Sequence, residues 1–310
     1  MKIFRYLTIL SLALFVPLSL IGAPKIGVLL KDRDLFWGQV EKGAVEAGKN
    51  ANVELVIKAP PGANMLGSQL KLLAALEKES LDALVIGPLT MEEFRQPIEA
   101  LRAKGVKIVA IDTPLPEGLA HTYCGYNQKT MAETAARLFA GLVQDDDEAA
   151  ILRANSLENI SIREKTLLAV LRTLHPKEII HLDIMAGAEK GDDYDKALLL
   201  LDKYPKTKAV ITPFSASSMA MIRALKDRKL AGKVIQVGFG SGFPPQVAEA
   251  IEAGAMQGWI AQEAKLIGQR GVEAAVALVE GKPVPATIEV EFIVVTKENL
   301  NSAKVRELKE

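Results

Sequence analysis

A single cysteine, Cys124, in 310 residues excludes an intramolecular disulfide, so packing alone must hold the fold together. Histidine is nearly as scarce: His121, His175 and His181 are the three, and no two sit at a metal-binding spacing. Net charge is absent, because 38 Lys and Arg balance 38 Asp and Glu. A nucleic-acid binder needs a basic face and usually shows it in the total, so this balance argues against one. Cys124 has no evident base partner and no nucleophile motif occurs. These absences point away from an enzyme and imply neither metal nor cofactor. Aromatics are only 5% of residues, which makes the adjacent pair Phe36-Trp37 conspicuous.

Long hydrophobic runs are also missing, with one exception at the start. Lys2 and Arg5 precede an apolar stretch from Leu7 to Leu20 that ends in Gly22-Ala23. Positive start, apolar middle and small-residue exit are the parts of a secretory signal peptide. Residues 1–23 are read as that signal, since Pro17 and the small exit residues favour cleavage over a membrane anchor of similar length. With no N-terminal cysteine to lipidate, the mature chain is expected free in the periplasm as a monomer.

Beyond the signal, strand-like and helix-like segments alternate. Lys25-Ile-Gly-Val-Leu-Leu-Lys-Asp-Arg-Asp-Leu-Phe-Trp37 opens with a short apolar run bounded by charge, the pattern of a strand buried on both faces of a parallel sheet. Asp34 then caps a helix starting at Leu35, which leaves Phe36 and Trp37 where strand hands over to helix. Further strands read at 53–57, 83–86, 106–111, 149–152, 179–184, 209–212 and 234–239, with amphipathic helical stretches between most of them. The fold class is therefore doubly wound α/β. Ala100-Leu-Arg-Ala-Lys-Gly-Val-Lys-Ile-Val-Ala-Ile-Asp112 is echoed by Arg223-Ala-Leu-Lys and Gly232-Lys-Val-Ile-Gln-Val-Gly-Phe239. Helix, turn and strand recur at matching places in two halves, which predicts two similar lobes. A junction spans Leu115 to Asn127, a helix covers Glu263–Glu280, and an extended tail from Ile288 to Val295 returns to the other lobe. The expected division is 24–125 plus 263–287 for one lobe and 126–262 plus 288–310 for the other, joined by a three-segment hinge.

Ligands of open α/β sheets bind outside the carboxyl ends of strands, so polar residues there are the candidates. Asp112-Thr113-Pro114 ends one strand, although Asp at a strand end is equally a turn residue. Thr212-Pro213-Phe214-Ser215 ends another, with Ser215 placed to cap a helix. Gly238-Phe239-Gly240-Ser241-Gly242 ends a third, without the spacing of a dinucleotide loop. After the polar loop Asn155-Ser-Leu-Glu-Asn-Ile-Ser161, the segment Ser161-Ile-Arg-Glu164 reads as a capping box. Arg163 and Lys165 would then occupy a first helical turn, where cations oppose the dipole and are kept either for a ligand or as a solvated face. The acidic run Asp145-Asp-Asp-Glu148 reads as a solvated loop.

The strand before Leu35-Phe-Trp37, the Val106–Asp112 strand, Gly125-Tyr-Asn127, Val237-Gly-Phe239 and Trp259-Ile-Ala-Gln262 together resemble periplasmic solute-binding proteins of the ribose and galactose type. The likeness runs through nearly the whole mature chain in order. It implies two hinged lobes that close on a small polar solute, usually a sugar, and deliver it to an ABC permease. It places the family's aromatic pair on Phe36 and Trp37, its strand-end aspartate on Asp112, its junction asparagine on Asn127, its second-lobe cation on Lys165 and its hinge glutamine on Gln262. Three family anchors are missing, since Thr113, Phe214 and Gly240 stand where ribose binders carry arginine, asparagine and a second aspartate. A buried sugar hydroxyl without a partner costs about 1–3 kcal/mol, so the ribose pattern itself is not expected.

Lys31, Pro213 and Ser215 also resemble the autoinducer-2 and rhamnose binders, whose Asp-Gln pair would fall on Ile162 and Arg163. Three candidate cations, Lys31, Arg163 and Lys165, leave a sugar acid as an option alongside a modified sugar. A repressor of similar lobes would open with a helix-turn-helix, which this chain does not. A sensor that presents its ligand to a membrane receptor or histidine kinase uses the same cleft and stays as the alternative. On sequence alone, Trp37→Ala and Asp112→Ala are each expected to abolish binding and leave the fold intact.

Overall fold

The computed structural model describes residues 22–62, 65–144, 146–154, 158–175, 179–187 and 191–308. Residues 1–21 of the expected signal, Asp145 and residues 155–157 of the polar loop lie outside them. The first part of the chain runs β1 (Lys25–Leu29), α1 (Leu35–Ala51), β2 (Glu54–Lys58), α2 (Leu66–Leu76), β3 (Ala83–Ile86), α3 (Arg95–Ala103), β4 (Lys107–Ile111) and β5 (Thr122–Gly125). The middle runs α4 (Gln128–Ala140), β6 (Glu148–Ile151), β7 (Arg153–Ala154), α5 (Glu158–Leu174), β8 (Ile179–His181), β9 (Met185–Ala186), α6 (Asp193–Lys203) and β10 (Thr207–Thr212). The last part runs α7 (Ser215–Asp227), β11 (Ile235–Ser241), α8 (Pro245–Glu252), β12 (Gly258–Gln262), α9 (Ala264–Val279), β13 (Thr287–Glu289), β14 (Phe292–Val295) and α10 (Ala303–Glu307).

Two six-stranded sheets result. The first has order β13-β5-β4-β3-β1-β2, parallel throughout, and the second has order β14-β12-β11-β10-β6-β8, parallel except for β14. Read outward from β2 and from β8, the two share one winding pattern, which is what the repeated helix-turn-strand segment predicts. Each reverses strand order beside its first strand, at β1/β3 and at β6/β10. Crevices for ligands open at such reversals, outside the carboxyl ends of the strands.

The reasons for burial are local. Ile26, Val28 and Leu29 have no exposed surface because helices cover both faces of β1. On one face α9 packs along α1 and against β3, β4 and β5. That approach is close enough to require glycine on both helices. A Cβ on Gly43 would stand 1.9 Å from the Lys265 carbonyl oxygen, and one on Gly268 would stand 1.9 Å from that of Val40. Thus α9 belongs with the first sheet although it follows β12 of the second.

Several expectations are corrected. The junction from Leu115 to Asn127 contains β5, a buried strand whose Thr122, Tyr123 and Cys124 alternate too little to stand out from a loop. The extended tail is two strands, β13 pairing with β5 and β14 pairing antiparallel with β12, so the change of sheet falls between Glu289 and Phe292. The strand expected over 179–184 stops at His181, and Met185–Ala186 pairs instead with β7 in a separate two-stranded ribbon. The chain passes between the main sheets three times, after β5, after β12 and after β13.

Candidate functional site

Lys31, immediately beyond β1, is 3% exposed, and a buried ammonium requires partners. It finds the Asp112 carboxylate at 2.7 Å and the Thr113 hydroxyl, and its head lies 5.6 Å from the centre of the Trp37 ring. Asp112 can reach it because of backbone geometry. With φ at 60° it occupies the left-handed region, which Asp tolerates better than most residues. That turn is held by the Asp112 amide donating to the Cys124 carbonyl at 3.0 Å and by the Tyr123 hydroxyl donating to the Asp112 carbonyl at 2.9 Å. Strain of this sort persists where the surroundings over-determine it, and here it aims a carboxylate past the end of β4.

The aromatic pair stands beside this ion pair. Asp34 caps α1 through a bond from the Trp37 amide at 2.8 Å, as the sequence predicts. Trp37 is 5% exposed and half-buried Phe36 meets it edge-on, with centroids 5.4 Å apart. Trp37 is therefore part of the core as well as a wall of the site. Asp34 itself stays on the rim, where partial loss of water and the Asp32 carboxylate push it up to about 6.

Because the folded-state pKa is raised, ionisation of Asp34 costs stability at neutral pH and the cost disappears as pH falls from about 6 toward 4. Asn caps a helix as well as Asp and does not titrate. Asp34→Asn is therefore expected to stabilise the protein at pH 7.5, by about 1 kcal/mol or less after screening by solvent, with no gain at pH 4. Urea unfolding at the two pH values checks this, and an equal offset at both would contradict it.

From the second sheet comes α5. Asn159 in its first turn places its amide 3.4 Å from the Asp112 carboxylate, a contact between the two halves of the chain. One turn on, Arg163 is 2% exposed. Its Nε and Nη2 donate to the Gln128 side-chain oxygen at 3.2 and 2.8 Å, its Nη1 donates to the Pro213 carbonyl, and its plane covers the Phe239 ring at 4.8 Å. Burial lowers the Arg163 pKa to about 10. Close by, the Tyr126 hydroxyl and the Gln128 amide nitrogen are buried without a hydrogen-bond partner. Burial also holds the Tyr126 hydroxyl well above its ordinary pKa, so it stays a neutral donor.

The remaining expected site residues divide. Thr113, Pro213 and Gln262 are buried at strand ends, and Gln262 closes β12 at the second crossing. Phe214 is half-buried and precedes α7, where its carbonyl accepts from Ser217 and Ser218. Ser215 is the first residue of α7 and does not cap it, a correction. Gly240 lies buried in β11, and a Cβ there would come within 2.3 Å of the Trp259 ring and 2.7 Å of the Ser215 hydroxyl. No side chain fits, because Trp259, fully buried and tied to the Gly242 carbonyl at 2.9 Å, fills the space.

Two expected residues are not brought together with the rest. Asn127 is exposed and caps α4 through the Thr130 amide at 3.2 Å; the inward-facing amide is its neighbour Gln128. Lys165 is exposed, and two residues beyond Arg163 is about 200° around a helix, so it faces away. The capping box is absent as well, since α5 begins at Glu158. Glu164 instead accepts from the Ala154 amide at 2.8 Å and from Arg153 at 3.1 Å. Arg163 thus sits in the second turn, held by Gln128 and Pro213, beyond the reach of the helix-terminal dipole invoked for it. Asn159, Gln128, Tyr126 and Phe239 are not marked as site residues by the sequence. Their only signal is position, beside the junction, in the polar loop and in the late strand.

The arrangement offers ring surface, donors from both halves and one internal ion pair, which suits a small polar molecule with apolar faces. A family model described as "Periplasmic binding protein domain" matches residues 26–283. The D-allose-binding periplasmic protein of Escherichia coli (strain K12) is 24% identical over 307 residues, covering 94% of this chain and 96% of that one. The ribose import binding protein RbsB of Bacillus subtilis (strain 168) is 23% identical over 265 residues, covering 82% and 80%. Among solved structures, a carbohydrate transporter solute binding protein from Agrobacterium radiobacter in complex with D-arabinose superposes with a TM-score of 0.84 at 22% identity, covering 94% of this chain and all of that one.

Proposed function

Because the chain belongs to the periplasmic binding protein family, we propose that it is the solute-capturing component of an ABC importer for a sugar or sugar derivative. The observation that carries this is the meeting, outside the strand ends of both sheets, of the Phe36-Trp37 rings with Lys31, Asp112, Asn159 and Arg163. Rings pack on the flat C–H faces of a carbohydrate, while charged and amide groups pair with its hydroxyls. The similarity to proteins named for D-allose and ribose supports the same class of solute.

In this reading the first sheet with α9 is one lobe, the second sheet is the other, and the three crossings are the hinge. Apo protein opens between Asp112 and Asn159 to admit the solute. Contacts from both lobes then favour the closed form, which an ABC permease recognises. The protein acts as a monomer in the periplasm after residues 1–23 are removed. A thermal-shift screen of the chain from Pro24 onward against pentoses, hexoses, polyols and sugar acids tests the proposal, since a ligand of the native state alone must raise Tm. A rise of several degrees with at least one carbohydrate is expected. No rise with any of them would contradict the proposal.

A further inference from the structure

Glutamine is mostly found on surfaces, yet Gln69 of α2 has no exposed surface. Its side-chain amide spans the two strand ends at the β1/β3 reversal. Nε2 donates to the Leu30 carbonyl at 2.9 Å and to the Gly87 carbonyl at 2.8 Å, while Oε1 accepts from the Leu89 amide at 2.9 Å. Both carbonyls lie just past the strands, where the ladder stops. The last parallel rung pairs Leu29 with Ile86, and beyond it the Gly87 amide still reaches the Leu29 carbonyl at 2.9 Å. A primary amide brings two donors and an acceptor in one plane, and here all three functions are used.

Those strand ends carry the first-sheet wall of the cleft. Leu30 shares its peptide group with Lys31, whose ammonium meets Asp112 at 2.7 Å. Gly87 lies under Trp37, and a Cβ there would stand 2.5 Å from the indole. Without Gln69 the two buried carbonyls would have to turn toward water, and the Leu30 peptide could not rotate without moving Lys31. The amide thus fixes where the ammonium and the ring stand before a solute arrives. Order established during folding is not lost again on binding, which raises affinity.

We propose that Gln69 is a positioning residue for solute capture, setting affinity from behind the cleft by holding the ends of β1 and β3, and with them Lys31 and Trp37. This deepens the carbohydrate reading above and rests on it.

The test compares calorimetric Kd with urea unfolding midpoints for variants of the mature chain. The probes are the pentoses, hexoses, polyols and sugar acids that raise Tm of the unaltered protein. Gln69→Met keeps the length of the side chain and removes all three bonds. At a temperature where it is fully folded it should bind about tenfold or more weakly, the scale on which groups supporting a site act. Gln69→Glu, held protonated by burial, keeps the Leu89 bond and one donor and should fall between Gln69→Met and the unaltered protein. It carries the comparison if Gln69→Met does not fold.

Leu101→Ala is the control. Leu101 is 2% exposed on α3, and its carbonyl accepts from the Val106 amide just before β4, at the end of the sheet away from the cleft. Its loss should lower the unfolding midpoint and leave Kd unchanged. A merely structural Gln69 would behave in the same way, and a lowered midpoint with unchanged Kd in the Gln69 variants overturns the inference while the carbohydrate assignment stands. Affinity lost equally in Leu101→Ala traces the loss to general loosening and overturns it as well. No binding of any probe by the unaltered protein overturns both readings.

Discussion

Asp112→Ala is expected to lose carbohydrate binding and about 3–5 kcal/mol of stability, because it strands the Lys31 ammonium, 3% exposed, without a counter-charge. The substitution also puts alanine at a φ of 60°, where Asp is tolerated and a plain Cβ is not rewarded with a local hydrogen bond. This differs from the expectation formed on sequence, in which the fold stays intact, since a strand-end carboxylate does not advertise a lysine 81 residues earlier as its partner. Asp112→Asn keeps the turn and a hydrogen bond to Lys31 and should cost less. The double variant Lys31→Met, Asp112→Asn removes both charges and should recover much of the stability while still failing to bind, because an apolar replacement of a buried pair is often neutral. Urea unfolding of the three proteins checks the order. Full stability in Asp112→Ala would show that the pair is not buried as described.

Trp37→Ala is expected to cost about 3–5 kcal/mol and to abolish binding, since the indole is both core and cleft wall. Its far edge rests on Gly87 at the end of β3, where a Cβ would stand 2.5 Å from the ring, so on that side the vacated space borders a residue with no side chain to fill it. Trp37→Phe should retain most of the stability and weaken binding by a smaller factor. Chemical denaturation and calorimetry on the pair separate the two roles. Loss of stability with unchanged affinity would assign Trp37 to the core alone.

Much of this was written in the sequence where the signal is periodic. The buried runs of β1, β3, β4, β10 and β11, the Asp34 cap and the repeated helix-turn-strand unit are local features, legible from spacing and composition. The first-sheet half of the candidate site followed, because Lys31, Phe36 and Trp37 sit where β1 hands over to α1 and Asp112 and Thr113 stand at the carboxyl end of β4. The second half did not. Whether Asn127 or Gln128 points inward depends on where α4 begins, and one residue decides it. Whether Arg163 faces a ligand depends on α5 starting at Glu158, before the Ser161-to-Glu164 motif that reads as its start. Gly240 shows the same limit, since its meaning lies in Trp259 on the neighbouring strand, a long-range contact that spacing along one strand cannot contain.

The chain's two tryptophans report the central claim directly, for Trp37 walls the cleft and Trp259 lies under its floor at Gly240. Emission should therefore change when a solute closes the lobes. The decisive measurement is a fluorescence titration of the mature protein with whichever carbohydrate gives the largest thermal shift, repeated on Trp37→Phe. The account predicts a saturable change whose midpoint matches the calorimetric Kd, with most of the amplitude lost in Trp37→Phe. A carbohydrate that raises Tm yet leaves both tryptophans unperturbed would bind elsewhere, and would contradict capture between the two sheets.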